Sequence, residues 1–192
     1  RSARDVAVFL IALAARLAFL FLVDEPLLYR HQYNYFQGGL SVAADPHPWA
    51  YVLRSDAWHQ WGAWTMAPLY HLFVAMVFRV FGAHLVALQV VQCVLDALVA
   101  VLVARLGRRV SSRWGVAAGL AYALYWPSVE FPSRTYTENL HTVLLVAAFS
   151  VVAGAAGSTG RLRPLAGGFL LGLSALARAV SAAFLPVAAL IA

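Results

Sequence analysis

The sequence contains a single cysteine, few acidic residues and no lysine. Cys93 lies inside an apolar run, so it gives no information on disulfides and offers no thiolate cage for a metal. Eight acidic residues stand against fourteen basic ones, all of them arginine, and the net charge is +6. Because the arginines stand mainly between apolar runs, membrane topology explains them better than nucleic-acid binding does.

Apolar residues are abundant, at 62% of the 192 residues, and the mean hydropathy is +0.75. One soluble core could not bury so much apolar sequence. Apolar runs of spanning length recur, which predicts an all-α, polytopic transmembrane helical bundle. Spans are expected at about 6–23, 84–104, 114–131, 140–156 and 165–192. Since both ends look cut, we expect 1–192 to be a single transmembrane domain and the N-terminal part of a longer module.

The apolar stretch 66–82 decides the topology. If the N-terminus is cytoplasmic and this stretch crosses the membrane together with every other run, four arginines between 105 and 113 face outside, against the positive-inside tendency. If it lies at the membrane surface, every short arginine-rich loop faces the cytoplasm. We therefore expect a cytoplasmic N-terminus and an external loop, 24–83, that carries interfacial helices. A short, tilted span is the alternative.

A charged island, "SVEFPSRTYTENL", interrupts the apolar sequence at 128–140. In this topology it faces outside, where the loop 24–83 could fold over it. Glu130 and Arg134 are four residues apart and could pair across one helical turn. Thr135 and Glu138 match a helix-capping box, which competes with a functional role for Glu138.

Two charges fall deep inside apolar runs. Arg16 lies about 15 Å, and Asp96 about 12 Å, above the inner ends of their spans, so we expect them to pair. Gln89, Gln92 and Asp96 share one helix face, a polar stripe of the kind that joins helices in lipid. A proton or ion pathway is the competing interpretation.

Four stretches carry a resemblance to a known family: "APLYHLFVAMVFRVFG", "VALQVVQCVLDALVAVLVARLGRRV", "YWPS" followed by "TENLHTVLLVAAF", and "GGFLLGLSALARAV". In this order they resemble the N-terminal half of the GT-C superfamily. These polytopic glycosyltransferases use lipid-phosphate sugars, and they include protein O-mannosyltransferases and the bacterial aminoarabinose transferases of lipid A. The resemblance covers roughly residues 6–192.

The resemblance implies an inverting transfer of a sugar from a polyprenyl-phosphate donor. The acceptor, which is a protein, a lipid or a glycan, would lie on the outer side of the cytoplasmic (inner) membrane. The implied partners are the donor, the acceptor and the lipid bilayer, without nucleic acid. Family members use an external-loop carboxylate to activate the acceptor hydroxyl.

The catalytic base is left open by this sequence. The family places an aspartate shortly before a tyrosine, and the matching stretch reads "RHQYNYFQGGLSVAADP". If Tyr35 is that tyrosine, His31 stands in the place of the aspartate. Candidate catalytic residues are therefore Asp24, Glu25, His31 and Glu138, and an inactive chain is a further alternative.

A basic residue in the last apolar run is the candidate phosphate ligand. Arg178 matches the family pattern GL-x-x-L-x-R, and an arginine there is costly unless it is paired or faces a polar cavity. Its alternative role is a structural pair with an external acid. Arg134, Glu130 and Asp56 complete the expected substrate-binding set, and Asp56 is also an alternative base.

Cofactor signals are weak. His47, His59 and His71 are too widely spaced for a typical histidine-ligated metal, so no metal residues are assigned. Some branches of the family use a divalent cation, which leaves carboxylate-bound Mg²⁺ or Mn²⁺ open. No glycine-rich nucleotide loop or P-loop supports a nucleotide-sugar donor.

The alternative function is that of a membrane transporter or a non-catalytic membrane subunit. It would use Arg16, Asp96 and Arg178 as an intramembrane charge path. A transporter would place its site near the midplane of the bilayer. Here most polar residues fall in the expected external loop, which favours the glycosyltransferase.

Overall fold

A computed structural model describes residues 2–23, 30–48, 50, 68–111, 114–155 and 162–184. Every regular element in these ranges is helical, which confirms the all-α class for this part of the chain. The helices are α1 Ser2–Leu22, α2 Arg30–Ala44, α3 Pro68–Phe81, α4 Leu85–Val110, α5 Trp114–Leu124, α6 Trp126–Glu130, α7 Thr137–Ala155 and α8 Leu162–Ala177. Two 3₁₀ segments follow α6 and α8, at Phe131–Ser133 and Ala179–Phe184.

Three helices are long and apolar enough to cross a membrane: Ala3–Leu22, Leu85–Val110 and Thr137–Gly154. The 26 residues of α4 rise about 39 Å, more than the roughly 30 Å of a hydrocarbon core. In α1 and α7 only 22% of the apolar window is buried inside the protein, so most of it is free to contact lipid. These three helices are compatible with a membrane protein.

The apolar stretch 114–131, expected to be one span, is divided in the structure. Helix α5 ends at Leu124, and after Tyr125 the chain continues as the five-residue α6. Pro127 lies in the first turn of α6 and Pro132 in the following 3₁₀ segment. Proline lacks a backbone N–H and is accommodated at the start of a helix rather than inside one, so Pro127 divides the stretch.

The apolar stretch 165–192 is also not one helix over its described part. Helix α8 has 16 residues and ends at Ala177, one residue before Arg178. The chain then tightens into the 3₁₀ segment, where the Ser181 amide donates to the Arg178 carbonyl. Residues 185–192 lie outside the described residues.

One end of the bundle collects the arginine-rich segments. Asp5, near the start of α1, accepts a hydrogen bond from Arg108, near the end of α4, at 2.5 Å. Gly154, near the end of α7, lies beside Arg109. Arg163, at the start of α8, donates to the Gly154 carbonyl. We call this the arginine end of the bundle. The expected topology places all these arginine-rich segments on the cytoplasmic side of the membrane, so it requires them to lie at the same end.

Helix α5 packs closely on α4 because small residues face each other. A Cβ atom added at Gly115 would lie 2.7 Å from the Arg108 backbone nitrogen. One added at Gly119 would lie 2.6 Å from the Ala104 Cβ atom and 3.0 Å from the Ala100 carbonyl oxygen. Side chains of ordinary size would therefore separate the two helices, and small residues allow this approach in lipid as well.

The predicted pair of Arg16 and Asp96 is confirmed. Arg16 is fully buried, and its Nε and Nη2 atoms lie 2.7 and 2.5 Å from Asp96 Oδ2. Its Nη1 atom donates to the carbonyls of Ala12 and Ala123, and the Tyr122 hydroxyl donates to Asp96 Oδ1 at 2.7 Å. This network joins α1, α4 and α5 at a depth where an unpaired charge would be costly.

Replacing Asp96 by asparagine tests that network. Asp96→Asn keeps the shape of the side chain but leaves the buried Arg16 cation without its counter-charge. We expect a loss of about 3–5 kcal/mol in the free energy of unfolding, measured by denaturation in detergent micelles. The matched control is Asp5→Asn, whose partners Arg105 and Arg108 are 60% and 18% exposed, with a smaller expected loss of about 1 kcal/mol. Equal losses for the two variants would contradict a special role for the buried pair.

Candidate functional site

The backbone of the charged island is irregular, and side chains from the first turns of α4 bind its carbonyl groups. Gln89 Nε2 donates to the Ser133 carbonyl at 2.5 Å. Gln92 Nε2 donates to the Pro132 and Arg134 carbonyls at 3.0 and 2.9 Å. The polar stripe expected on α4 therefore joins a helix to a loop. Irregular backbone at membrane depth is tolerated where protein groups satisfy its carbonyls, as these amides do.

The side-chain amide of Gln92 also connects the island to α3. The Tyr70 hydroxyl donates to Gln92 Oε1 at 2.6 Å, and Tyr70 is fully buried. Tyr70 also belongs to an apolar cluster that includes Phe73, Leu88 and Leu140. Through Gln92, α3, α4 and the island thus share one set of hydrogen bonds.

Helix α3 packs on α2 through the face on which the sequence places His71 and Arg79. His71 is buried, and a Cβ atom added at Gly38 of α2 would lie 2.5 Å from its ring. Burial lowers the pKa of His71 to about 4, so the ring is neutral at pH 7. Arg79 donates to the carbonyls of Ala43 and Asp45 at the end of α2. This face therefore fixes α2 on α3.

Glu138 and Arg178 form an ion pair at the end of the bundle opposite the arginine end. Arg178 Nη1 lies 2.6 Å from Glu138 Oε1, and the side chains are 43% and 32% exposed. Glu138 lies in the first turn of α7, and Arg178 directly follows α8. A structural pair with an acid was the alternative to phosphate binding that the sequence left open for Arg178. The structure shows such a pair. Unlike Arg16, both partners remain accessible to a ligand.

The capping box expected from Thr135 and Glu138 does not form. Helix α7 begins at Thr137, two residues after Thr135. The Thr135 hydroxyl is buried and has no hydrogen-bond partner among the described residues. Because Glu138 does not cap the helix in this way, its carboxylate is free to contact Arg178.

The expected pair of Glu130 and Arg134 is present. Arg134 Nε and Nη2 lie 2.8 and 2.7 Å from Glu130 Oε1. Glu130 ends α6, and Arg134 follows the first 3₁₀ segment. The pair therefore bridges the turn that leads to Glu138.

Helix α2 reaches the ion pair through Tyr35. The Tyr35 hydroxyl is hydrogen-bonded with Thr137, and the charges of Glu138 and Arg178 act on it. Burial raises the pKa of Tyr35 and Glu138 raises it further, while Thr137 and Arg178 lower it only in part. The hydroxyl therefore stays protonated at pH 7. We expected the loop 24–83 to fold over the island, and its helix α2 does contact the island through Tyr35.

The remaining predicted site residues lie outside what the structure describes. Asp24, Glu25 and Asp56 are outside the described residues. His31 belongs to the first turn of α2, and its side chain is likewise outside the description. Glu138 is the one predicted catalytic residue whose side chain is described.

Sequence reasoning missed a cluster beside the ion pair. His141 Nδ1 lies 2.9 Å from the Ser181 hydroxyl and 3.1 Å from the Ser174 hydroxyl, and the two hydroxyls are 2.8 Å apart. The only signal was spacing. Glu138 and His141 are three residues apart on α7, and Ser174 and Arg178 are four apart at the end of α8, so each pair shares a helix face.

A cavity of about 160 Å³ extends from Glu138 towards the buried Asp96. Tyr122 and Phe131 contribute to its walls, and Asn139 lines it from α7. Asn139 is 3% exposed, and neither polar atom of its amide has a partner among the described residues. Glu138 therefore borders a space in which further polar contacts are available.

An apolar groove of about 400 Å³ lies between α3, α7 and α8. Its lining includes Phe73 and Met76 from α3, Leu140 and Leu144 from α7, and Leu173 from α8. Leu140 is two residues from Glu138 and Leu173 is five residues from Arg178. The groove and the ion pair are thus built from neighbouring turns of the same helices.

Comparison of the chain with protein-family models, with curated proteins and with solved structures gave no match in any of the three. Within the described ranges, no three histidine, cysteine, aspartate or glutamate side chains converge as a metal site would require. Chemical hypotheses for the site therefore start from the ion pair, the hydroxyl and histidine groups around it, and the two cavities.

Removing the α4 amides should destabilise the protein in a definite order. Gln92→Leu leaves two island carbonyls and the Tyr70 hydroxyl without partners, whereas Gln89→Leu removes one hydrogen bond to the island. At about 1–3 kcal/mol for each buried polar group left unpaired, we expect the larger loss of unfolding free energy for Gln92→Leu. Thermal denaturation in detergent would measure both variants. A larger loss for Gln89→Leu would contradict this account.

Proposed function

We propose that the chain is the N-terminal part of a GT-C-like integral membrane glycosyltransferase. It transfers a sugar, with inversion, from a polyprenyl-phosphate donor to an acceptor on the outer side of the cytoplasmic membrane. The observation that carries this proposal is the accessible Arg178–Glu138 pair at one end of the bundle. It supplies a cation for a phosphate and a carboxylate for a proton within a single contact.

The apolar groove supports a lipid-linked donor. Leu140 and Leu173, which line it, are two and five residues from Glu138 and Arg178 in the sequence. On this proposal an isoprenoid tail occupies the groove and its phosphate binds Arg178. The planar guanidinium can engage two phosphate oxygens at once. An embedded enzyme also keeps the tail of the departing polyprenyl phosphate in lipid.

The ion pair suggests how donor binding and proton transfer are coupled. A phosphate that engages Arg178 competes with Glu138 for the guanidinium and so releases the carboxylate. The acceptor hydroxyl then attacks the anomeric carbon, its proton passes to Glu138, and the bond from that carbon to the phosphate oxygen breaks. Arg178 stabilises the negative charge that the phosphate keeps. The described residues do not fit a metal site, so no step is assigned to Mg²⁺ or Mn²⁺.

Glu138 shares the role of candidate base with residues of the first loop. Asp24, Glu25 and His31 remain predictions, as does the substrate-binding role of Asp56. Glu130 and Arg134 bind each other and, on this proposal, shape the approach to Glu138 more than they bind the donor.

An intramembrane charge path, the alternative function, is less supported. Both oxygens of Asp96 are engaged by Arg16 and Tyr122, so the buried pair is occupied within the fold. Arg178 is bound to Glu138 rather than to that pair.

Substitutions at the ion pair separate donor binding from catalysis. In the full-length parent protein, Arg178→Ala should weaken binding of a labelled polyprenyl-phosphate sugar at least about tenfold, because a charge-assisted hydrogen bond is lost. Glu138→Gln should keep donor binding, or tighten it, while lowering turnover by about 10²–10⁴-fold through loss of the base.

The matched control for these variants is Arg105→Ala, which removes an arginine from the opposite end and should change neither quantity. Normal donor binding by Arg178→Ala would end the phosphate role. Normal turnover by Glu138→Gln would move the base to the first loop.

Cysteine labelling tests the orientation. In the full-length protein with Cys93→Ala, single cysteines replace Ala83 or Ser111, which flank α4 about 39 Å apart. A membrane-impermeant thiol reagent should label position 83 from outside the cell and position 111 only after the membrane is opened. The reverse pattern would place Glu138 and Arg178 on the cytoplasmic side and would favour the transporter.

A further inference from the structure

His141 is held beside the ion pair by two serine hydroxyls. Ser174 comes from the last turn of α8 and Ser181 from the 3₁₀ segment that follows, and both contact the same ring nitrogen, Nδ1. The two hydroxyls also contact each other at 2.8 Å, and both serines are fully buried. The ring orientation is therefore fixed through Nδ1, and Nε2 makes no hydrogen bond within the described residues.

The serines also hold the backbone that carries Arg178. The Arg178 amide donates to the Ser174 carbonyl at 2.9 Å, and the Ser181 amide donates to the Arg178 carbonyl at 3.0 Å. Arg178 thus lies, in the sequence, between the two serines whose hydroxyls bind His141. The backbone of Arg178 and the ring of His141 are therefore held by the same two serines.

The charges around His141 are those of the proposed phosphate site. Glu138 precedes it by three residues on the same helix, and Arg178 lies in sequence between the two serines that contact its ring. From α2, the neutral Tyr35 hydroxyl lies near the same two charges. From α3, His71 contacts the Tyr35 ring at 5.3 Å, and its pKa of about 4 keeps it neutral above pH 5.

We infer that His141 is a second ligand for the anionic group that Arg178 binds, with Nε2–H donating to a phosphate oxygen. This inference rests on the proposed function. When Ser181 or Ser174 donates to Nδ1, the ring proton lies on Nε2 and is available to donate to a ligand. A protonated His141 donates from both nitrogens and adds a positive charge, which strengthens binding of an anion.

A prenyl phosphodiester is the suitable probe, because it keeps a single negative charge across the range in which histidine titrates. Its affinity would be measured with the full-length protein in lipid nanodiscs, between about pH 5 and 8. We expect wild-type binding to tighten about tenfold as the pH falls. His141→Asn should bind about tenfold more weakly at the low end of the range and lose the pH dependence.

Two further variants sharpen the test. His84→Asn makes the same chemical change at an exposed histidine ahead of α4, and its binding should match the wild type. The double variant Ser174→Ala and Ser181→Ala keeps the imidazole but frees its orientation. It should weaken binding while leaving the pH dependence in place, which a merely structural role of His141 would not produce.

The outcomes distinguish this inference from the proposed function. If His141→Asn binds the probe as tightly as wild type with the same pH profile, while Arg178→Ala loses binding, the inference is overturned and the donor site stands. If the wild-type protein does not bind the probe, the inference and the proposed donor site are both overturned. Should His141→Asn fail to fold, an unchanged affinity in the double serine variant overturns the inference.

Discussion

The hydrogen bonds from Gln89 and Gln92 to the island backbone are the constraint on which the rest of the site depends. They bring a proline-containing, irregular segment against the first turns of α4 and satisfy carbonyls that lipid could not. Helix α7 starts directly after this segment, so the position of Glu138 follows from it. Tyr70 contacts the same Gln92 amide and adds α3, and with it α2 and Tyr35, to the arrangement.

Two ion pairs show how differently the same chemistry is used in this fold. Arg16 and Asp96 are buried and bind each other, the Ala12 carbonyl and the Tyr122 hydroxyl, so they join helices. Arg178 and Glu138 are partly exposed, and Glu138 borders the smaller cavity. Breaking a buried pair leaves an uncompensated charge inside the protein, whereas a partly exposed pair costs little to open. This contrast is why the proposed chemistry starts at Glu138.

Sequence reasoning succeeded where one regular element carried the information. The depths of Arg16 and Asp96 could be counted along two continuous helices, and the pairing followed. The division of 114–131 was missed because prolines at a helix start leave the hydropathy of the stretch unchanged. The capping box failed because the helix begins at Thr137, a boundary set by island contacts. The contact of His141 with Ser174 depends on how α7 and α8 pack, which one sequence does not reveal.

The pairing of Arg16 also has a consequence for how the protein is made. Its counter-charge, Asp96, is synthesised 80 residues later, and the Ala123 carbonyl that it binds is 107 residues away. At ordinary translation rates of about 5–20 residues per second, α1 would wait roughly 4–16 s for Asp96. An arginine near the centre of a membrane helix costs about 2.5–3.5 kcal/mol during insertion. If α1 spans a membrane, it must therefore be retained at the insertion machinery, or occupy an unfavourable position in lipid, until α4 arrives.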